Sequence, residues 1–461
     1  MDSSGEDPLR ADSSAPAKGP SAEPVGLVGN AGKLRPPEGG AGQPAKRKGR
    51  RRKKRGPVFA GSGAAPDGRN RPPVESRKPS HPDPRHGSGK GHGNGKVSHV
   101  AHASPAAPSA ISRYPAAPRA AIERDGLYAA LDLGTNNCRL LIAQPRERGF
   151  RVVDAFSRIV RLGEGVGSSG RLGEAAMERA VDALRICSAK LADRGVKRAR
   201  LIATEACRLA DNGPAFLDRV HGETGLALEI VSRETEARLA VSGCASLIDP
   251  TTNGALLFDI GGGSSELVWI DLTRQAERHR RRMSDRIRTW ASLPVGVVTL
   301  SERHGGETVT PKVFEAMVAE VTDMLLAFPE AAALDRAVAA GSLHMLGTSG
   351  TVTTLAGVHL GLPRYDRRKV DGTWMSAGEV DRMMTLVTGM DYEARIANPC
   401  IGRERADLVL AGCAILEAIR RRWPCERLRV ADRGLREGIL VEMMSEDGVW
   451  RRSGPRMERP S

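Results

Sequence analysis

The chain has 461 residues and a formal net charge of +15, and this length predicts two or more domains, because it exceeds what one hydrophobic core usually holds. The charge is uneven: residues 1–120 carry 22 Lys and Arg against 9 Asp and Glu, which is +13 of the total. No apolar run reaches the roughly 18–20 residues of a membrane span, the first residues lack the apolar core of a signal peptide, and seven scattered cysteines form no CxxC pattern. We therefore expect a cytoplasmic protein that makes no contact with membranes.

Residues 1–125 are rich in Gly, Pro, Ala and Ser and contain almost no aromatic residues. This composition cannot bury enough apolar surface to offset the entropy of ordering, so it predicts a disordered tail. The densest basic run, KRKGRRRKKR at residues 46–55, would attract polyanions. A solvated tail without a dedicated ligand is the alternative.

From residue 126 onwards, strand and helix patterns alternate. In the first half, strands are predicted at residues 127–133, 139–143, 150–156, 198–204 and 227–232, and helices at 174–191 and 235–247. In the second half, strands are predicted at 253–260 and 266–270, a further strand ending in 292–300, and strands at 343–348 and 428–431. Helices are predicted there at 311–328, 404–422 and 434–444, with another starting near 350. This alternation favours an α/β fold with mixed sheets in two similar halves.

Two segments repeat one pattern, LDLGTNNCRLL at residues 131–141 and FDIGGGSSELV at residues 258–268. Each reads as a buried strand, an Asp, a Gly-rich turn and a return into apolar sequence. Such turns let backbone N–H groups converge on phosphate oxygens, and Asp132 and Asp259 could hold a divalent cation beside them. A third turn, GTSGT at residues 347–351, precedes a helix, where N–H groups also favour anions. We therefore expect a duplicated fold that holds a phosphate compound between its halves.

Together these motifs resemble the actin, sugar-kinase and heat-shock-ATPase superfold, and within it the Ppx/GppA phosphatase family. The matching segments are LDLGTNNCRLLIA at 131–143, ATEACRLADN at 203–212, SRETEARLA at 232–240, FDIGGGSSELV at 258–268, LPVGVVTL at 293–300, LGTSGTVTTLAG at 346–357 and ADRGLREGIL at 431–440. The resemblance implies two ribonuclease-H-like domains around an interdomain cleft, in a short form without extra C-terminal helical domains. The expected boundaries are a basic tail at 1–125, a first domain at 126–252, a second domain at 253–445 and a flexible tail at 446–461.

The resemblance also implies catalytic roles for three residues. Glu236 would be the base that orients or deprotonates water, Glu266 a second carboxylate that holds water or metal, and Arg208 a cation that faces the phosphates. From the residues alone, ordinary surface or strand positions are the alternative for each. The same match implies Mg²⁺ or another divalent cation on Asp132 and Asp259. The phosphate-facing residues would be Gly134, Thr135, Asn136, Gly261, Gly262, Gly263, Ser264, Gly350 and Thr351.

The expected function is the hydrolysis of terminal phosphate from inorganic polyphosphate or guanosine pentaphosphate. The sequence does not choose between these two substrates, and it leaves the oligomeric state open, with a homodimer as one alternative. Two rival functions remain: an ATP-dependent kinase or ATPase of the same superfold, and a non-catalytic binder of polyphosphate or nucleic acid. ETEAR at residues 234–238 favours the phosphatase, and the scarcity of aromatic residues in the tail argues against a dedicated single-strand binder.

Deletion of residues 1–120 removes +13 of charge but none of these motifs. We expect unchanged turnover of short substrates, together with a higher KM for long polyphosphate at low salt, because the basic run captures polyanions by counterion release. At high salt the two proteins should have similar KM values. Phosphate-release assays at both salt concentrations test this, and equal KM values at low salt would rule out capture by the tail.

Overall fold

The computed structural model describes residues 126–273 and 282–450. The predicted basic tail at residues 1–125 and the end of the chain after residue 450 lie outside the described residues, and both remain predictions.

A five-stranded mixed sheet is built from the first part of the chain. Its strands are β1 (Tyr128–Leu133), β2 (Asn137–Pro145), β3 (Phe150–Ile159), β4 (Arg198–Ala203) and β5 (Glu229–Ile230). The spatial order is β3-β2-β1-β4-β5, with β1, β2 and β3 antiparallel and β4 and β5 parallel to β1. The accompanying helices are α1 (Val166–Ser169), α2 (Glu174–Asp193), α3 (Glu205–Leu209), α4 (Gly213–Thr224) and α5 (Arg233–Cys244).

The second part of the chain repeats this arrangement in a six-stranded sheet. Its strands are β6 (Gly254–Ile260), β7 (Ser265–Asp271), β8 (Ile287–Leu293), β9 (Leu343–Thr348), β10 (Trp374–Ser376) and β11 (Arg427–Ala431). β6, β7 and β8 are antiparallel, while β9 runs parallel to β6 on its other side, as β4 does beside β1. β11 and β10 complete the sheet. The two mixed sheets confirm the predicted α/β fold with two similar halves.

Nine helices lie in the second part of the chain among the described residues. They are α6 (Val297–His304), α7 (Pro311–Leu325), α8 (Ala331–Ala339), α9 (Gly350–His359), α10 (Arg367–Val370), α11 (Ala377–Thr388), α12 (Tyr392–Ala397), α13 (Val409–Arg422) and α14 (Leu435–Glu446). Helix α13 is the central helix of this core, since most of its residues are buried. Across the described residues, no helix combines the length and the apolar character needed to cross a membrane.

The last helix, α14, packs against β1 and α5 of the first sheet. The approach is close because glycines lie at the contact: a Cβ added to Gly438 would lie 1.9 Å from the carbonyl oxygen of Leu239, and one added to Gly243 would lie 2.0 Å from that of Gly434. Helix α14 therefore lies against the first sheet although it follows the second sheet in sequence. The domain boundaries predicted from the sequence stay a prediction.

Two predicted elements in the second half differ from the structure. The strand expected to continue through residues 292–300 ends at Leu293, and α6 follows because the N–H groups of Val297 and Val298 donate to the carbonyl groups of Gly261 and Gly262, each at 2.9 Å. A short apolar run does not distinguish strand from helix by periodicity alone.

The helix predicted over residues 404–422 begins only at Val409. Side chains capture the carbonyl groups just before it: Arg395 Nη1 donates to Ala406 at 2.6 Å, and Ser301 Oγ donates to Asp407 at 2.9 Å. These carbonyl groups therefore accept from side chains of other elements instead of from N–H groups of the following helical turn. The start of α13 is therefore set by residues that are distant in sequence, which the local pattern of residues 404–422 does not contain.

Candidate active site

A cleft of about 480 Å³ lies where β1, β6 and β9 end. Its walls come from both sheets. Twelve of the residues predicted from the sequence line it: Asp132, Gly134, Thr135, Asn136, Glu236, Asp259, Gly261, Gly262, Gly263, Ser264, Glu266 and Gly350. The two others do not: Thr351 lines a smaller adjoining pocket, and Arg208 lies against the carboxylate of Glu236.

The first glycine turn (residues 134–137) and the second glycine turn (residues 261–264) have the same backbone design. The N–H of Gly134 donates to the carbonyl of Asn137 at 2.8 Å, and the N–H of Gly261 donates to that of Ser264 at 3.0 Å. In the flanking strands, Asp132 pairs in register with Arg139, and Asp259 pairs with Glu266. The duplication predicted from the two motifs is therefore present as repeated geometry.

The two glycine turns touch each other. A Cβ on Gly262 would lie 2.9 Å from Cβ of Thr135, and a Cβ on Gly263 would lie 2.8 Å from Thr135 Oγ1. Real Cβ atoms almost never approach so closely, so the second turn requires glycine to reach the first. As a result, backbone groups of both halves line one small space.

Burial raises the pKa values of the carboxyl groups beside the second turn. The Glu266 side chain is only 4 % exposed, and burial, followed by the nearby charge of Asp259, raises its pKa to about 7, although the hydroxyl groups of Ser264 and Ser292 donate to it at 2.9 Å. Burial, followed by the charge of Asp132, raises the pKa of Asp259 to about 6. These carboxyl groups gain a proton more readily than carboxyl groups in water.

Helix α5 positions Glu236 in its first turn, because Ser232 caps the helix by accepting from the N–H of Thr235 at 3.2 Å. Glu236 is 8 % exposed. Burial, followed by the charge of Glu266, raises its pKa to about 9, and Arg208 opposes this shift. A buried carboxylate beside a cleft is a candidate general base or acid.

Arg208 and Glu205 form the layer behind Glu236. The guanidinium of Arg208 donates to Glu236 and lies 3.3 Å from a carboxylate oxygen of Glu205. Glu205 is 2 % exposed, lines the cleft and also accepts from Arg233 at 2.5 Å. In this structure Arg208 therefore neutralises carboxylates, and its predicted contact with phosphate stays a prediction.

Sequence reasoning missed most of the basic side of the cleft. Five arginines line it: Arg139, Arg367, Arg405, Arg433 and Arg436. Two of them have carboxylate partners, since Arg367 donates to Glu437 at 2.5 Å and Arg433 pairs with Asp371.

The other three cleft arginines, Arg139, Arg405 and Arg436, differ from these two in having no carboxylate partner among the described residues. Within residues 126–273 and 282–450 none of their side chains has a hydrogen bond or an ion pair, so their charge is available to an anion in the cleft. The register could have identified Arg139, because it occupies in the first motif the position that Glu266 has in the second. No comparable local pattern marks Arg405, which precedes α13.

Among the described residues, no group of three or more His, Cys, Asp and Glu side chains is arranged to hold a metal ion. Asp132 and Asp259 nevertheless face one cleft, and after burial the charge of Asp132 is the next largest cause of the raised pKa of Asp259. Proteins commonly bind Mg²⁺ through one or two carboxylates together with substrate phosphates. The two residues therefore fit a cation that binds with its substrate.

Glu266→Gln is expected to raise the melting temperature by about 2 °C or more at pH 8 and by much less at pH 5, measured without divalent cations. The folded-state pKa of about 7 lies above the ordinary value of 4.5, so the stability linked to this group is present below pH 4.5 and is lost as the pH rises through 7. Gln keeps an acceptor for both serine hydroxyl groups but carries no charge. The exposed Glu315 supplies the control, Glu315→Gln, and an equal shift at both pH values would contradict the prediction.

Comparisons with known proteins agree with this architecture. The family model of the Ppx/GppA phosphatase family matches residues 141–447. A guanosine-5'-triphosphate,3'-diphosphate pyrophosphatase of Aeromonas salmonicida is 30 % identical over 327 residues, which are 70 % of this chain and 60 % of the relative. The chain thus spans about 60 % of the length of the curated relatives that it matches.

Solved structures cover the folded part more completely. The Aquifex aeolicus member of the Ppx/GppA family is 28 % identical with a TM-score of 0.55, covering 70 % of this chain and 98 % of that one. An exopolyphosphatase-like protein is 27 % identical with a TM-score of 0.61, covering 69 % and 99 %. These matches confirm the predicted fold class, in which two actin-like halves surround a cleft. The chain belongs to the Ppx/GppA phosphatase family.

Proposed function

We propose that the chain is a hydrolase that releases terminal phosphate from phosphoanhydride chains, with inorganic polyphosphate and guanosine pentaphosphate as its candidate substrates. The observation that carries the proposal is the contact between the two glycine turns, with the buried carboxyl groups of Glu236 and Glu266 in the same cleft. Family membership supports the reaction class. The printed names of the relatives support both substrates, since one is a guanosine-pentaphosphate pyrophosphatase and one resembles exopolyphosphatases.

Charge in the cleft supports an anionic chain as the ligand. Arg139, Arg405 and Arg436 line the cleft, and their side chains have no hydrogen bond or ion pair among the described residues. Turn N–H groups together with the N-terminus of α9 add donors that carry no side-chain charge. Terminal phosphate oxygens would bind at the turns, and the arginines would contact the phosphates that remain after cleavage.

In the proposed reaction, water attacks the terminal phosphorus, the bridging P–O bond breaks, and the shortened chain leaves with the bridging oxygen. Glu236 accepts the proton of the attacking water, and Glu266, held by Ser264 and Ser292, orients that water. Because its pKa is raised to about 9, Glu236 needs additional positive charge nearby to be ionised at neutral pH. Arg208, already in contact with it, contributes part of that charge.

A divalent cation, with Mg²⁺ as our choice, would be held by Asp132 and Asp259, where it would neutralise phosphate oxygens and favour ionised carboxyl groups nearby. We also place the protein in the cytoplasm, because all seven cysteines are free and six of them are buried. A homodimer and contacts between the tail and polyanions remain predictions.

Phosphate release with Mg²⁺ from long polyphosphate, guanosine pentaphosphate and ATP, measured side by side, tests the function. We expect release from at least one of the first two and little from ATP. Glu236→Gln should lower turnover at least about 100-fold while substrate still binds, since an amide keeps the shape but cannot accept the proton. Glu234→Gln, a substitution of the exposed neighbour, is the matched control. ATP as the preferred substrate, or near-normal turnover by Glu236→Gln, would contradict the assignment.

Asp259→Asn should weaken activity and Mg²⁺ dependence together, because a neutral amide is a poorer partner for a hard cation. We expect the Mg²⁺ concentration for half-maximal activity to rise about tenfold or more, which is about 1.4 kcal/mol. Titration of Mg²⁺ at saturating substrate measures this half-maximal concentration. Asp323→Asn, on the exposed surface of α7, serves as the control. An unchanged Mg²⁺ concentration for half-maximal activity would show that Asp259 does not bind the cation.

A further inference from the structure

Residues 160–165, which follow β3, support the first glycine turn from behind. The N–H groups of Val160 and Arg161 donate to the carbonyl of Asn136 at 2.9 and 3.0 Å, and that of Gly163 donates to Thr135 at 2.8 Å. A Cβ on Gly163 would lie 2.2 Å from Thr135 Cγ2, so this segment is in tight contact with the turn. A displacement of residues 160–165 would therefore displace the first turn.

Arg161 has an unusual backbone conformation in this segment. Its φ is +48°, in the left-handed region that favours glycine and that arginine rarely adopts. Such conformations persist where the surroundings determine them strongly, and they concentrate at functional positions. Here the conformation accompanies a side chain that reaches across to the second half of the molecule.

The guanidinium of Arg161 forms a two-pronged ion pair with Asp407. Nη1 lies 2.8 Å from Oδ2, and Nη2 lies 3.2 Å from Oδ1. Asp407 is 246 residues away in sequence and lies two residues after Arg405, one of the arginines that line the cleft. Because two hydrogen bonds join the two groups, the pair sets the relative orientation of Arg161 and Asp407 as well as their separation. A second contact runs in parallel, since the N–H of Gly165 donates to Glu302 at 2.9 Å.

On its far side, Asp407 is connected to the second glycine turn through α6. The Ser301 hydroxyl donates to the carbonyl of Asp407 at 2.9 Å, and the first N–H groups of α6 donate to Gly261 and Gly262, both at 2.9 Å. The ion pair thus joins the support of one turn to the support of the other. In the described chain, the other ion pairs that join the two halves lie elsewhere. Three of them involve α14 or the adjoining Asp447, and one involves Asp249.

We propose that Arg161 and Asp407 are positioning residues, which set the separation of the two glycine turns and the placement of Arg405 in the cleft. This inference rests on the proposed hydrolase function for its kinetic consequence. Loss of the pair leaves the carboxylates of Glu236 and Glu266 intact but lets the halves separate. Because a misplacement of about 1 Å can cost about 100-fold in rate, the loss should reduce kcat more than it raises KM.

The tests are Arg161→Asn and Asp407→Asn, chosen because Asn tolerates a positive φ and is close to Asp in shape. Each should lower kcat about tenfold or more, with a smaller change in KM. The double Asn variant should be no worse than either single variant, as expected for two residues that act through one contact. The exchanged pair, Arg161→Asp with Asp407→Arg, should recover activity to within about threefold of wild type. Glu315→Gln breaks a two-pronged pair with Arg421 inside the second half and should change nothing.

Amide hydrogen exchange of the full-length chain gives a readout that does not depend on activity. Faster exchange in peptides covering residues 134–137, 160–165 and 403–408 of both single variants, with normal exchange in the exchanged pair, supports the inference. Unchanged exchange together with unchanged kcat overturns it, and so does a loss of activity that the exchanged pair fails to recover. If the wild type releases phosphate from no substrate, the proposed function fails, and the exchange results alone decide whether the pair holds the turns.

Discussion

The cleft depends on one steric constraint, the contact between the two glycine turns. Gly262 and Gly263 reach Thr135 because they have no side chain, and Gly296 meets Gly262 on the other side, where an added Cβ would lie 2.4 Å from its backbone. Any larger residue at these positions would clash with the facing atoms unless the turns moved apart. The convergence of N–H groups and the crowding of carboxyl groups both follow from this contact.

Close approach of the turns has an electrostatic cost. Asp132 and Asp259 end equivalent strands, so bringing the turns together also brings these carboxyl groups together, and burial, followed by this proximity, raises the pKa of Asp259 to about 6. The pKa values of Glu266 and Glu236 are raised further, to about 7 and about 9. Perturbed groups that gather in one cleft are typical of catalytic sites. Under the proposed function, a cation bound together with an anionic chain would relieve this repulsion between carboxylates.

Much of the fold and part of the site could be predicted from local sequence. The two motifs show their strands, their turns and the offset of 127 residues between Asp132 and Asp259, because each is a short segment with a strong pattern. Ser232 followed by Thr235 and Glu236 likewise marks the start of α5. The predicted fold class is confirmed, and Glu236, Glu266 and most of the turn residues do lie in one cleft, whereas their roles stay predictions.

What escaped prediction depends on contacts between distant segments. Arg405 lines the cleft from the segment just before α13, where Arg395 and Ser301 bind the carbonyl groups of Ala406 and Asp407. The pairing of Arg208 with Glu236 joins α3 to α5 across 28 residues. Likewise, α14 returns to the first sheet through glycine contacts that no periodicity indicates. These features belong to the assembled tertiary structure.

The duplicated turns also explain why one side of the cleft is basic and the other is acidic. At the same position relative to each turn, the first half carries Arg139 and the second half carries Glu266, each paired in register with an Asp. Two equivalent backbones therefore present opposite charges to one space. Under the proposed function, the acidic side suits the attacking water and the basic side suits the leaving chain, since the charge released by bond cleavage appears on the leaving oxygen. A symmetric pair of turns would bind a phosphate from both sides alike, whereas under the proposed function the difference between Arg139 and Glu266 would give the bound chain one orientation.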